Sequence, residues 1–174
     1  MRDITFAELL RIDHRQQRDE QQHLFLVLPG HRELPKCEVP SPGCLVSLVS
    51  FFQDVDPAEA PVVIWLQGGP GSSSMFGLFE INGPFSAVYT EDGSSTTAKL
   101  NPHSWTTVAN VMYVDNPVGT GFSHTTDDFA VNQDDVGDDL YEFLTQWFTL
   151  FEEFKENEFF AFGESYAGTR VSIN

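Results

Sequence analysis

Two short apolar runs, at positions 61–66 and 110–115, predict strands that are buried on both faces. In each run apolar side chains occupy consecutive positions rather than alternate ones, which is typical of a central strand in a parallel sheet. The first run stops at a glycine-rich turn (67–71) and the second at Asn-Pro (116–117). A third run, 158–162, leads directly into a glycine and is also predicted to be a strand.

The segment 132–154 predicts an amphipathic helix. Its apolar residues recur every three or four positions and form one broad face. That face consists of Val136, Leu140, Phe143, Leu144, Trp147, Phe148, Phe151 and Phe154. Asn132 can cap the first turn, where Asp134 and Asp135 suit the positive end of the helix dipole. We expect the apolar face to be core, and the order strand, helix, strand predicts a doubly wound α/β sheet.

The first fifty residues differ from the rest of the chain. They contain four prolines, a polar run at 15–22 and both cysteines, Cys37 and Cys44, for which a disulfide and two free thiols are equally open. Only 24–28 and 45–52 look like strands. We therefore predict an atypical N-terminal segment, residues 1–50, followed by part of an α/β domain, residues 51–174.

The charge and hydropathy of the chain argue against some classes of binding partner. The net charge of −17 and the pI near 4.3 argue against binding to nucleic acid or to an anionic membrane. A solvated acidic surface explains this charge, and so does residence in an acidic compartment. No stretch approaches 18 apolar residues, which predicts no membrane insertion, and no signal-peptide apolar region is visible near Met1.

The third predicted strand ends in Gly-Glu-Ser-Tyr-Ala-Gly, at 163–168. A serine in a tight turn between strand and helix, flanked by small residues, has the form of a nucleophile elbow. We expect Gly163 and Gly168 to be needed there because side chains would collide with nearby backbone. An ordinary turn, with Ser165 capping the following helix, is the alternative.

Three segments resemble the serine carboxypeptidases in order and spacing. They are WLQGGPGSSSMFGLFEINGPF (65–85), LNPHSWTTVANVMYVDNPVGTGFS (100–123) and FFAFGESYAG (159–168). The sequences of these segments are most similar to the vitellogenic carboxypeptidase-like branch. The resemblance implies an α/β-hydrolase fold and release of C-terminal residues from peptides or proteins through an acyl-enzyme, with no metal and no cofactor. It also implies the secretory pathway, a lysosome or the extracellular space.

The same resemblance implies a role for each residue of the matching motifs. Ser165 corresponds to the nucleophile, and the backbone N–H groups of Gly69 and Tyr166 correspond to the oxyanion hole. The set expected to hold the free C-terminal carboxylate of the substrate is Gln67, the backbone of Gly68, and Glu164. Because two carboxyl groups in contact cannot both be ionised, binding should favour acidic pH. For Gln67 the alternative is a turn residue with its amide in solvent.

We expect structural roles for the remaining residues of these motifs. Asp115 precedes the serine, whereas α/β-hydrolases place the triad acid after it, so we interpret Asp115 as a loop hydrogen-bonding residue. Turns and packing are the expected roles of Asn101, Trp105, Pro117, Gly119, Gly121 and Phe122. Ile81 stands where the family usually has Glu, with Glu80 beside it.

The order of triad residues limits the expected activity. In this fold the acid and the histidine follow the serine, yet no Asp or His occurs among residues 166–174. We expect a sheet truncated after the nucleophile elbow and a chain that is inactive as it stands. The alternatives to a serine carboxypeptidase are a non-catalytic product or binding module of a carboxypeptidase gene and, less favoured by the carboxylate-binding set, an acyltransferase or esterase.

Overall fold

The computed structural model describes residues 56–93, 96–125 and 129–171, together with strand segments in the first 51 residues. The strands are β1 Ile4–Thr5, β2 Leu24–Leu26, β3 Cys44–Leu45, β4 Ser47–Phe51, β5 Val62–Leu66, β6 Phe85–Tyr89, β7 Thr96–Leu100, β8 Asn110–Asp115, β9 His124–Thr125 and β10 Phe159–Gly163. The helices are α1 Gln133–Leu150 and α2 Gly168–Val171, with a π-helical turn Gly77–Ile81 and 3₁₀ turns Trp105–Thr107, Glu152–Phe154 and Ser165–Ala167.

The largest sheet has the order β10-β5-β8-β4-β2. Strands β10, β5 and β8 are parallel, while β4 pairs antiparallel with β8 and β2 antiparallel with β4. The prediction of two central buried strands is confirmed, since every residue of β5 and β8 is buried. In register, Gly163 lies opposite Leu66, and Leu66 opposite Val114. The carboxyl ends of the three parallel strands therefore lie side by side, which is where ligands bind in open α/β folds.

Helix α1 covers one face of this sheet. Asn132 caps it as predicted, its side chain accepting a hydrogen bond from the Asp135 N–H. The apolar face packs against β5 and β8 around Trp147, which confirms its assignment to the core. The predicted end at residue 154 is wrong, because α1 stops at Leu150. Phe151 leaves the helical conformation, and a separate 3₁₀ turn brings Phe154 to stack on Trp147.

The opposite face is covered by aromatic residues from the loops. Trp105 packs edge-on against Trp65 of β5 and against Phe162 of β10, with ring centroids 5.6 and 4.9 Å apart respectively. Asn101 donates from its side chain to the Gly83 carbonyl at 2.9 Å. The packing and turn roles expected of Trp105 and Asn101 are thus confirmed. The predicted α/β architecture is also confirmed, with a three-layer arrangement around β5 and β8.

Strands from the first fifty residues join these sheets. β2 and β4 lie within the two segments predicted to be strands, and β1 extends an antiparallel sheet of order β1-β7-β6. β3 pairs with β9. Cys37 lies outside the described residues, so the state of the two cysteines stays open, and the division at residue 50 stays a prediction.

Candidate active site

The elbow after β10 holds Ser165 in a strained conformation. Ser165 has φ of 54°, and among the described non-glycine residues no other has a positive φ. A bulky side chain cannot replace Gly163, because a Cβ there would lie 2.7 Å from the Ala167 carbonyl oxygen. The expected need for glycine at 168 is wrong, since a Cβ at that position meets no atom within 4 Å. Backbone strain of this kind concentrates at functional sites, where surrounding structure enforces it.

The glycine-rich turn after β5 crosses directly over this elbow. A Cβ on Gly68 would lie 2.6 Å from the Glu164 carbonyl oxygen and 3.0 Å from both Ser165 Cβ and Tyr166 N. Gly69 has φ of 117°, which L side chains rarely adopt. The close approach therefore requires glycine, and it brings two backbone segments almost one hundred residues apart onto the same serine.

The side chain of Gln67 connects the two segments. Its Nε2 donates to Glu164 Oε2. Trp65 Nε1 donates to Gln67 Oε1 at 3.0 Å, and the Gln67 N–H donates to Ser74 Oγ at 3.1 Å. Because the indole N–H occupies the amide oxygen, the amide NH₂ faces Glu164. Gln67 is only 7% exposed, so the alternative of a turn residue with its amide in solvent is wrong.

Glu80 and Ile81 lie on the π-helical turn. Glu80 Oε1 accepts a hydrogen bond from the Tyr89 hydroxyl at 3.4 Å, and both side chains are exposed. Ile81 is exposed as well. The described hydrogen bond of the Glu164 carboxyl group is with the amide of Gln67, and that of Glu80 is with Tyr89.

The expectation that Asp115 bonds to loops is confirmed. This fully buried carboxylate accepts hydrogen bonds from the Ser73 hydroxyl, the Ser74 N–H and the Phe122 N–H. The sequence analysis assigned nothing to Ser73 and Ser74. The signal available there was the serine run 72–74, which follows the glycine-rich turn and supplies donors close to a strand end.

The surroundings of Ser165 are open to solvent. Glu164, Ser165 and Tyr166 are exposed, and Gln133 of α1 donates from Nε2 to the Tyr166 hydroxyl at 3.4 Å. Within the described ranges no three His, Cys, Asp or Glu side chains are grouped so as to hold a metal ion. Among the same residues, no helix has the length and apolar character needed to cross a bilayer.

In chemical terms the site offers a hydroxyl with donors around it. The Cβ of Ser165 and the backbone N of Tyr166 both lie against Gly68 in the glycine-rich turn. The amide NH₂ of Gln67 is hydrogen-bonded to the carboxyl group of Glu164, the residue that precedes Ser165. A hydroxyl nucleophile with nearby N–H groups is the arrangement that acyl transfer requires.

Comparisons with known proteins agree on one family. A family model described as serine carboxypeptidase matches residues 50–173. The human protein named "Probable serine carboxypeptidase CPVL" is 53% identical over 123 residues, which are 70% of this chain and 25% of that protein. The "Venom serine carboxypeptidase" of Apis mellifera is 50% identical over 118 residues (67% and 24%). The mouse "Lysosomal protective protein" is 46% identical over 117 residues (67% and 24%).

A solved structure shares the fold. It is Kex1(delta)p, a prohormone-processing carboxypeptidase from Saccharomyces cerevisiae, with a TM-score of 0.67 and 29% sequence identity. The match covers 86% of this chain and 32% of that one. The chain thus spans about a quarter of the length of the curated relatives that it matches. With the family model matching well over half of its residues, the chain belongs to the serine carboxypeptidase family and has the α/β-hydrolase fold.

Proposed function

We propose that the protein is a serine-type carboxypeptidase that releases C-terminal residues from peptides or proteins, with Ser165 as nucleophile. The observation that carries the proposal is the close approach of Gly68 to Ser165 and to the Tyr166 N–H. That approach supports a role for the glycine-rich turn as the source of donors to the Ser165 site, where the elbow holds Ser165 at a φ of 54°. Acyl transfer needs nucleophile and oxyanion donors around the same reacting atom, each about 3 Å away.

In the proposed reaction the Ser165 hydroxyl attacks the carbonyl carbon of the last peptide bond. The carbonyl oxygen becomes an oxyanion, and the N–H groups of Gly69 and Tyr166 stabilise it by hydrogen bonds. Collapse of the intermediate breaks the peptide C–N bond, the leaving amine takes the proton that came from the Ser165 hydroxyl, and an ester remains on Ser165 for water to hydrolyse. A base must take the serine proton, and a histidine held by an acid is the usual one. Since residues 166–174 contain neither Asp nor His, we propose that residues 1–174 alone do not hydrolyse peptides.

Selection for a chain end would come from Gln67, Gly68 and Glu164. The Gln67 NH₂ and the Gly68 N–H can donate to the terminal carboxylate of the substrate. Glu164 can donate only when it holds a proton, because an ionised carboxyl group has no donor. This supports peptide or protein substrates with a free C-terminus, and binding that strengthens toward acidic pH.

The names of two relatives support a location along the secretory pathway. One relative is named lysosomal and another comes from venom, so we propose that the protein works in the secretory pathway, in a lysosome or outside the cell. The net charge of −17 suits an acidic compartment, where part of the carboxylate charge is neutralised. The same charge opposes nucleic acid as a partner.

The test uses the complete gene product that contains these residues. It is incubated with a peptide bearing a free C-terminus and with the same peptide as its C-terminal amide, and the products are weighed by mass spectrometry. We expect stepwise loss of C-terminal residues from the free acid, little loss from the amide, and none with Ser165→Ala. Equal cleavage of both peptides would contradict the carboxylate-binding set. Tight binding of the free acid without any cleavage would favour the binding-module alternative.

A further inference from the structure

We propose that Asp115 is a positioning residue for the reaction: it fixes the glycine-rich turn and the Gln67 backbone over Ser165. This inference rests on the proposed function. Asp115 ends β8, and its carboxylate is the point where two loops meet. One loop, 67–76, carries the expected oxyanion and carboxylate donors, and the other, 116–123, connects β8 to β9.

The donors to this carboxylate come from both loops. Asp115 Oδ1 accepts from Ser73 Oγ at 2.7 Å and from the Ser74 N–H at 2.8 Å. Oδ2 accepts from the Phe122 N–H at 2.9 Å. The acceptor is wholly buried, and its three described donors are uncharged groups. A hydrogen bond inside the protein is stronger electrostatically than one in water, so this buried junction ties the two loops together.

Ser74 carries the link from Asp115 to Gln67. Its Oγ donates to the Val114 carbonyl at 2.6 Å and accepts from the Gln67 N–H at 3.1 Å, while its own N–H is held by Asp115. Ser74 is fully buried, so none of these bonds is exchanged with solvent. The ends of β5 and β8 are thereby connected through one side chain. A shift of Ser74 must move Gln67 and, with it, the adjacent Gly68.

The second loop is shaped to fit the carboxylate. A Cβ on Gly121 would lie 2.1 Å from Asp115 Oδ2 and 2.9 Å from Ser73 Oγ, so the chain passes too close for any side chain there. Gly121 also has φ of 55°. The Ser123 hydroxyl donates to the Asp115 backbone carbonyl at 2.6 Å and closes the turn from the other side. In this loop the Phe122 N–H therefore holds the carboxylate, the Ser123 hydroxyl holds the Asp115 backbone, and Gly121 leaves room for both.

Loss of the carboxylate would leave its three donors without their buried acceptor. Such donors cost free energy unless the loop moves so that they reach water. Movement of 67–76 would displace the Gly69 N–H from the oxyanion, and it would also displace Gln67 and Gly68, the proposed donors to the substrate carboxylate. A misplacement of about 1 Å can cost up to a hundredfold in rate. We therefore expect kcat to fall about tenfold to a hundredfold and KM to rise as well, since oxyanion and carboxylate donors lie in the same turn.

The experiment compares two variants of the complete gene product, with cleavage of a free-acid peptide as the assay. Asp115→Ala removes the junction at the C-terminal end of β8. Asn110→Ala is the matched control at the other end of the strand, where Asn110 Nδ2 donates to the carbonyls of Pro57 and Ala60 at 2.8 and 3.0 Å. Both variants delete a buried polar side chain and should lower the melting temperature. Only Asp115→Ala should lower kcat.

Graded variants keep the test decisive if Asp115→Ala does not fold. Asp115→Asn retains one acceptor oxygen, and Ser73→Ala removes a single donor, so both should reduce kcat less than Asp115→Ala. Equal kcat values in the Asp115 and Asn110 variants, or a kcat unchanged in Asp115→Asn and Ser73→Ala, would overturn the positioning role. Activity retained by Ser165→Ala would instead refute the proposed function itself.

Discussion

At the scale of single residues, the roles of Gly68 and Gln67 are determined by the atoms that surround them. Gly68 has no space for a side chain, and Gln67 has its amide fixed by the Trp65 indole. The motif made both residues visible in the sequence, but their contacts depend on the register of β5 against β10. Nothing local in residues 65–68 encodes that register. The motif thus identified the residues, and their contacts could not be predicted from it.

Gly68→Ala should abolish activity while leaving most of the stability in place. The added methyl group would lie 2.6 Å from the Glu164 carbonyl oxygen, so the turn or the elbow must shift. The matched control is Gly137→Ala in α1, where a Cβ meets no atom within 4 Å. Alanine is the better helix former by about 1 kcal/mol, so that variant should melt slightly higher with unchanged activity. A Gly68→Ala enzyme with wild-type kcat/KM would contradict the close-approach argument.

Glu164→Gln should make cleavage less sensitive to alkaline pH. An amide can donate to the substrate carboxylate at any pH, whereas the glutamic acid must keep its proton to do so. The measurement is kcat/KM for a free-acid peptide against pH in the complete gene product. Glu80→Gln is the control, because Glu80 bonds to Tyr89 on the exposed π-helical turn. If the alkaline limb is the same in both variants, Glu164 does not bind the terminal carboxylate.

Tyr113→Phe should reduce the loss of stability at high pH. Burial raises the pKa of the Tyr113 phenol above its ordinary value, and its hydroxyl donates to Asn82 Oδ1 at 3.0 Å. The stability gained from the neutral phenol is present below the unfolded-state pKa of about 10. It is lost as pH rises further, because the unfolded chain ionises first. Between pH 8 and pH 11 the free energy of unfolding in urea should decline less steeply for Tyr113→Phe than for the wild type. At neutral pH the variant should be less stable by about 1 kcal/mol. Parallel curves for the two proteins would contradict this assignment.

At the scale of elements, the helix and strands with a strong apolar pattern were predicted from the sequence, and those with a weaker pattern were not. The parallel strands β5 and β8 and the helix α1 followed from unbroken apolar runs and from a spacing of three to four residues. β6 and β7 were not predicted, because they mix polar and apolar residues and gain their structure from pairing with each other. The end of α1 was also missed. Phe151 keeps the apolar spacing and its ring lies 5.0 Å from that of Trp147, so the pattern gives no sign that the helix has ended.

Hydrogen exchange should rank the parallel strands by their position in the sheet. β5 and β8 are bonded on both sides and buried, whereas β10 lies at the edge of the sheet with Phe159, Phe160 and Phe162 at 39%, 45% and 42% exposed. Local opening is cheaper where fewer apolar contacts must be broken. In residues 1–174, amides of β10 and the elbow should exchange much faster than those of β5 and β8. Equal protection of all three strands would show that the edge is covered.

At the scale of the whole molecule, β10, the strand that leads into the elbow, is an edge strand of the described sheet. An unpaired strand edge with large apolar side chains favours aggregation or local unfolding. Full burial of one such side chain is worth roughly 1.5–3 kcal/mol, and a domain has only about 5–15 kcal/mol in total. Residues 1–174 expressed alone should therefore be only marginally stable. The measurement is thermal and urea unfolding, and a sharp cooperative transition with high stability would contradict it.

The same preparation should also lack nucleophilic activity at Ser165. The elbow supplies strain and the glycine-rich turn supplies donors, but an unassisted hydroxyl is a weak nucleophile. The described histidines, His103 and His124, precede the elbow and are both exposed, whereas the base of this fold follows the serine. A fluorophosphonate probe should therefore label residues 1–174 no more than it labels their Ser165→Ala variant, while the complete gene product should be labelled at Ser165. The comparison is made below the unfolding temperature and quantified by intact mass. Labelling of residues 1–174 well above the alanine control would mean that a base within these residues activates Ser165.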